Sequence, residues 1–120
     1  MKVLIIAAHG SRKKASNSEV AALARKIAEK TGPAFDRVEH AFLQFAAPLL
    51  ETTLKEVAQN GADRIVIFPF FIGSGSHITM DIPRLVETLQ QDFPDIDIRV
   101  TRHLGKIESI EEMIVREVLS

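Results

Sequence analysis

Two histidines in this sequence stand where imidazole chemistry would be useful. His9 lies in Ala8-His9-Gly10-Ser11-Arg12, directly after an apolar run, and His77 follows the small-residue turn Gly73-Ser74-Gly75-Ser76 after another. A neutral imidazole is a ligand for borderline divalent metals, and with an unperturbed pKa of about 6.5 it also exchanges protons near neutrality. Two imidazoles delivered to one crevice could share a metal ion or divide the work of ligand and base. A single histidine at a strand end is more often a hydrogen-bonded structural residue. What raises the pair above that reading is its setting, since both stand in turns of small residues that let backbone approach a ligand.

The neighbours of these histidines admit several roles. Arg12, Lys13 and Lys14 form a basic cluster beside His9, suited either to substrate carboxylates or to a solvated helix approach. Ser11 is not in the Gly-x-Ser-x-Gly elbow of an α/β hydrolase, which leaves capping or hydrogen bonding as its expected job. Gly73, Ser74, Gly75 and Ser76 lack the lysine and spacing of a P-loop, so a phosphate cradle is weakly signalled. Asp81, before Ile82-Pro83, reads as a helix N-cap with proline in the first turn. His40 sits inside a strand pattern, as an edge or interface residue, and His103 is a secondary candidate at the same sheet end as His9 and His77.

Positioning these residues requires elements, and the apolar pattern supplies four strand-helix alternations, the signature of βαβ units on a parallel sheet. Val3 to Ala8 is the first strand; Val20, Leu23, Ala24, Ile27 and Ala28 then mark one face of a helix, with Ser16 and Glu19 as a capping box. Val38, His40 and Phe42 alternate in a second strand, Pro48 opens a helix carrying Leu50, Leu54, Val57 and Ala58, and Asn60-Gly61 ends it. Ile65 to Phe68 forms the third strand, followed by a helix with Ile82, Leu85, Val86 and Leu89 inward and Pro94 at its exit. Ile96, Ile98 and Val100 alternate in the fourth. Ser109 and Glu112 then cap a terminal helix bearing Ile110, Met113, Ile114 and Val118.

Unbroken apolar runs belong to central strands and alternating runs to peripheral ones. This sorting gives the order 2-1-3-4, a flavodoxin-like α/β sandwich of three layers with a four-stranded parallel sheet. Its switch point falls between strands one and three, outside their carboxyl ends, where His9 and the turn before His77 lie.

Composition limits the alternatives. With 120 residues, 46% of them hydrophobic, the chain has material for one compact domain spanning residues 1–120 and can bury roughly two-thirds of its unfolded surface. A formal charge of −1 provides no field that argues for nucleic acid or an anionic membrane. The apolar N-terminal run is too short to span a bilayer. The absence of cysteine removes thiolate ligands and thiol nucleophiles and permits a reducing cytoplasm.

The strand-end segments resemble a known family. His9-Gly10-Ser11-Arg12, Ala41-Phe42-Leu43 followed by Pro48, and Pro69-Phe70-Phe71-Ile72 with Gly75, His77 and Asp81-Ile82-Pro83 are similar to the small class II chelatases, the short CbiX-type sirohydrochlorin cobaltochelatases and their nickel-inserting relatives. The resemblance implies a chelatase-like fold and a lyase-type enzyme that inserts Co²⁺ or Ni²⁺ into a sirohydrochlorin-type tetrapyrrole in cobalamin biosynthesis. It implies a cytoplasmic homodimer in which each short chain corresponds to one half of a longer chelatase and the tetrapyrrole lies in the cleft. By position, His9 and His77 match the family's catalytic and metal-binding histidines. Ser11, Arg12, Gln44 and residues 73–76 would contact substrate, with no cofactor beyond the substrate metal. Many relatives carry glutamate where this chain has Gln44, whose neutral amide can coordinate weakly but cannot act as a base.

Two readings of other classes stand beside this one. One is a non-catalytic carrier of tetrapyrrole or metal, which the Gln44 substitution favours. The other is a phosphate-handling flavodoxin-like domain with His9 as phosphoryl acceptor.

Overall fold

The computed structural model of the chain describes residues 1–73 and 75–120, with the side chains of residues 76–79 outside the description. Four parallel strands form one sheet in the order β2-β1-β3-β4, as the contrast between unbroken and alternating runs predicts. The strands are β1 (Lys2–Ala8), β2 (Arg37–Phe42), β3 (Arg64–Pro69) and β4 (Asp97–Val100). The helices are α1 (Lys14–Thr31), α2 (Leu50–Gln59), α3 (Ser76–Asp92) and α4 (Ser109–Leu119), with short 3-10 turns at Gly32–Ala34 and Leu104–Lys106.

The two faces of the sheet are covered unequally. On one, Val3, Ile5 and Ala7 of β1 and Ile65 and Ile67 of β3 meet Leu50, Leu54 and Val57 of α2 and Ile82 and Leu89 of α3 in a continuous buried core. Each of the valine, leucine and isoleucine side chains contributes about 1.5–3 kcal/mol by leaving water. On the other face Leu4, Ile6 and Ala24 are buried, whereas Val66, Phe68 and Phe70 are only partly covered. The third run is therefore unbroken in sequence but not sealed on both faces. At the amino end of the sheet, Arg37 hydrogen-bonds Glu39 and Glu56, tying β2 to α2. The bond to Glu39 is the chief cause that raises the guanidinium pKa above its usual value.

Helix starts depart from the capping signals in the sequence. Ser16 and Glu19 form no capping box, because α1 begins at Lys14 with Lys13 as N-cap and no side-chain cap. The turn is closed instead from Asn17, which accepts from the Ser11 N–H at 3.0 Å and donates to the Ser11 carbonyl at 2.7 Å. Pro48 does not open α2. Its carbonyl accepts from the Phe42 N–H at 2.8 Å, and Leu49 bridges to Phe42, so the segment stays extended until Leu50.

Asp81 is not an N-cap and Pro83 is not in a first turn, since α3 begins at Ser76 and runs through the proline. Burial of Ile82 and Leu89 offsets the ~3 kcal/mol that an interior proline costs. His77 thus stands in the first turn of α3 rather than in a loop. Ser109 and Glu112 make no box either. The chain enters α4 through Glu108 with φ −58° and ψ −38°, already helical, without the extended geometry a side-chain cap requires.

Gly105 in the second 3-10 turn packs its Cα against the Ile72 backbone, where a Cβ would overlap the Ile72 carbonyl oxygen. Its N–H donates to the Phe71 carbonyl at 3.3 Å. Gly73 borders open space. Gly105→Ala is therefore expected to cost on the order of 1–3 kcal/mol and Gly73→Ala within about 0.5 kcal/mol of nothing, as read from urea denaturation midpoints. Equal effects would contradict the close approach.

Candidate functional site

The site begins where the two central strands end. Ala7 pairs with Pro69 across the sheet, and the Phe70 N–H donates to the Ala7 carbonyl at 2.7 Å. The chain leaves β1 and β3 at the same edge, carrying His9 on one side and the segment that becomes α3 on the other. The loop after β2 joins them: the Leu43 N–H donates to the Ala8 carbonyl at 2.9 Å and the Gln44 N–H to the His9 carbonyl at 3.0 Å.

Gly10 makes that junction possible. It has a φ of +90°, and a Cβ there would overlap the Gln44 carbonyl oxygen. A side chain would be both strained and obstructed. The backbone of Gln44 is thus fastened to the residues flanking His9, while Gln44 itself is exposed.

His9 is half-buried against Phe71, with ring centroids 4.8 Å apart, and Phe71 stacks on His103 at 5.7 Å. One buried phenyl ring therefore sets the environment of two imidazoles from distant parts of the chain. Arg12 lies over the Phe45 ring, 4.7 Å from guanidinium carbon to centroid, a cation–π geometry. Phe45 is 56% exposed and has a φ of 65°, so the ring is presented outward on a constrained turn. Arg12, Lys14, His40 and Phe45 line a groove of about 450 Å³. A second cavity of about 300 Å³ lies between the loop after β2 and α3, with Asp81, Arg84 and Glu51 in its lining.

Among the residues expected from sequence to act, His9, Gln44, Ser11 and Arg12 come together at the carboxyl end of β1. Ser11 does the structural work expected of it, accepting at Oγ from the Lys13 N–H at 3.0 Å. Gly73 is exposed, and Gly75 is the N-cap of α3. Ser74 and the side chains of Ser76 and His77 lie outside the described residues. His40 is half-buried beside Phe42, with rings edge-on at 5.7 Å, and faces the Arg12 groove rather than a flat strand edge.

Sequence reasoning passed over Phe71 and Phe45. The apolar stretch Pro69-Phe70-Phe71-Ile72 continuing beyond β3 was the available signal for Phe71. Nothing local marks Phe45. Among the described residues no three histidine, aspartate or glutamate side chains converge as a metal cage.

Comparison with known proteins defines the class. The CbiX family model matches residues 3–120, and the chain belongs to the CbiX family. It is 35% identical over 102 residues to the chloroplastic sirohydrochlorin ferrochelatase of Arabidopsis thaliana, covering 85% of this chain and 44% of that protein. It is 34% identical over 92 residues to the sirohydrochlorin cobaltochelatase of Methanocaldococcus jannaschii, covering 77% and 63%. Thus the chain spans about half to two-thirds the length of these curated relatives. Its fold is shared with the cobalt complex of the sirohydrochlorin chelatase SirB from Bacillus subtilis subspecies spizizenii, at a TM-score of 0.82 and 23% identity, over 98% of this chain and 50% of that one. A CbiX protein from Marinobacter aquaeolei VT8 aligns at a TM-score of 0.75 and 24% identity, over 99% and 94%.

Phe71→Ala should cost about 3–5 kcal/mol in stability. Phe71→Leu, which keeps most of the apolar volume, should remain folded at a cost of about 1 kcal/mol. In that variant the imidazole proton resonances of His9 and His103 are expected to shift together as the ring current is lost. Shifts confined to one histidine would contradict the shared contact.

Proposed function

We propose that this chain is a metal chelatase that inserts Co²⁺ or Ni²⁺ into sirohydrochlorin, acting as a cytoplasmic homodimer. The observation that carries the reading is the CbiX family match across residues 3–120; His9 and His77 follow β1 and β3 in the chain, and the family resemblance gives them the metal. Relatives named for cobalt and iron insertion into the same macrocycle support the substrate. The homodimer rests on the family resemblance, in which two short chains together correspond to the two halves of a longer chelatase. No helix among the described residues is long and apolar enough to cross a membrane.

Insertion exchanges two pyrrole N–H protons for one divalent ion, so the ring's charge is unchanged and two protons leave. The metal is a substrate, and no resident cofactor is required. Imidazoles suit the exchange because they hold Co²⁺ or Ni²⁺ through borderline nitrogen donors and release it to the pyrrole nitrogens, stronger donors once deprotonated. His9 and His77 hold the ion in this mechanism. As each pyrrole nitrogen replaces an imidazole, the freed ring or a bound water accepts its proton.

Phe71 fixes the His9 ring by contact, and the backbone bond from Gln44 fixes the His9 carbonyl. Gln44 replaces a base with a neutral amide, which leaves proton acceptance to imidazole or water. Arg12 and residues 73–76 meet the carboxylates at the rim of the macrocycle, Arg12 from its seat on Phe45. Ser11 supports Arg12 by closing the turn through Asn17.

Insertion is read by the change in visible absorbance of sirohydrochlorin. His9→Ala and His77→Ala are each expected to lower the rate by at least a hundredfold while the protein stays folded; full activity in either variant would remove that histidine from the mechanism. Arg12→Ala should raise KM for sirohydrochlorin about tenfold with little change in kcat, the pattern of lost binding rather than lost chemistry. Initial rates with the three metals are expected to favour Co²⁺ or Ni²⁺ over Fe²⁺. A preference for Fe²⁺ would overturn the metal assignment while leaving the chelatase reading in place.

A further inference from the structure

Charge in this chain is sorted by sheet edge. The formal net charge is only −1, yet the connections at the two ends of the strands carry opposite signs. At the amino edge, residues 32–36, 60–63 and 93–96 contain Asp36, Asp63 and Asp95 and no lysine or arginine. At the carboxyl edge, residues 9–13, 43–49, 70–75 and 101–106 contain no aspartate or glutamate. They hold Arg12, Lys13, Arg102 and Lys106 together with His9 and His103. The first carboxylate after β4 is Glu108, at the start of α4.

Ion pairing follows the same division. Among the described residues the pairs join Met1 to Asp63, Arg37 to Glu39 and Glu56, and Arg64 to Asp97 near the amino edge, and Lys55 to Glu51 on α2. None of these pairs involves Arg12, Lys13, Arg102 or Lys106. The cations of the carboxyl edge therefore face water rather than a carboxylate of the described chain.

The segment after β4 holds its groups in place through backbone. The Thr101 N–H donates to the Ile67 carbonyl at 2.9 Å, the Gly105 N–H to the Phe71 carbonyl at 3.3 Å, and the Lys106 N–H to the His103 carbonyl at 3.0 Å. A Cβ at Gly105 would overlap the Ile72 carbonyl oxygen, so the turn lies directly on the chain that follows β3. His103 is half-buried and stacks on Phe71, the same ring that His9 touches. Arg102 and Lys106 on either side of it are exposed.

We propose that Arg102, His103 and Lys106 bind carboxylates at the rim of the tetrapyrrole on the β4 side of His9. The inference rests on the sirohydrochlorin reading above and adds the residues that select an acidic macrocycle. In the order β2-β1-β3-β4, Arg12 on Phe45 stands toward β2 and the 101–106 turn toward β4, with His9 after β1 between them. A macrocycle centred on a metal at His9 carries its carboxylates outward at the ring's edge, so groups on both sides of His9 are needed to hold it. Guanidinium and ammonium supply charge-assisted bonds, and the imidazole adds a directional N–H donor. Because the turn is already fixed, little freedom is lost on binding. An edge free of acidic side chains leaves no internal pair to displace, and its field draws a polycarboxylate inward.

Binding is read without metal, from quenching of sirohydrochlorin fluorescence on titration with the full chain. In low-salt buffer Arg102→Ala/Lys106→Ala is expected to raise Kd about tenfold. His103→Phe, which keeps an aromatic ring on Phe71 and removes the N–H, is also expected to raise it about tenfold. Lys30→Ala, which removes an exposed charge at the far end of α1, should leave Kd unchanged. Combined with Arg12→Ala, the losses should multiply, as for separate contacts. At about 1 M salt, where charges are screened beyond roughly 3 Å, the gap between the Arg102→Ala/Lys106→Ala variant and the unaltered chain should narrow. Circular dichroism should show all variants folded. Unchanged Kd in both variants, or a loss in Arg102→Ala/Lys106→Ala that persists in full at high salt, would overturn the rim contact and leave the chelatase reading standing. No quenching by the unaltered chain would remove the sirohydrochlorin reading and the rim contact together.

Discussion

The architecture depends on the parallel pairing of β1 with β3. Residues of the amino-terminal segment and of the middle of the sequence become neighbours only because Val3 to Ala7 run in register with Ile65 to Pro69, and that register is fixed by which side chains must leave water. Val3, Ile5 and Ala7 point with Ile65 and Ile67 into the core beneath α2 and α3. A slip of one residue would turn all of them outward. The pairing ends at Ala7 and Pro69, so the chain is released from both strands at one edge. Every proposed catalytic feature hangs on that edge.

Hydrophobic burial brings the strand ends together, but backbone contacts set the finer geometry. Gly10 lets the Gln44 carbonyl lie where any side chain would stand, and Gly105 does the same for Ile72. Between these junctions the Phe71 ring touches both His9 and His103. The result is a set of strand-end loops held by main-chain hydrogen bonds and one aromatic ring. Such a framework can keep an imidazole in place without enclosing it, as a site must if a large planar substrate is to reach the metal.

The sheet order was legible because strand burial writes itself into apolar periodicity. Unbroken Val3 to Ala8 and Ile65 to Phe68 marked the centre, and alternation at Val38 to Phe42 and Ile96 to Val100 marked the edges. Helix starts were less legible, because a Ser-x-x-Glu pair is a local signal that longer-range bonds override. Asn17 closes the turn at Ser11, the Phe42–Leu49 bridge delays α2 past Pro48, and buried Ile82 and Leu89 carry α3 through Pro83. At the site, small residues around His9 pointed to close backbone approach, and Gly10 makes one. The contact of Phe71 with two imidazoles was not readable, because it depends on where the chain turns after β3 and β4. The apolar stripe of α4 was equally visible in sequence, but periodicity reports an apolar face, and the structure leaves that face exposed.

The central claim is that imidazoles following β1 and β3 hold the metal on its way to the macrocycle. X-ray absorption at the cobalt edge of the Co²⁺-loaded protein tests this most directly. The account predicts the outer-shell scattering of coordinated imidazole in the unaltered protein, diminished in His9→Ala and again in His77→Ala. A shell of oxygen donors alone, identical in all three proteins, would contradict it.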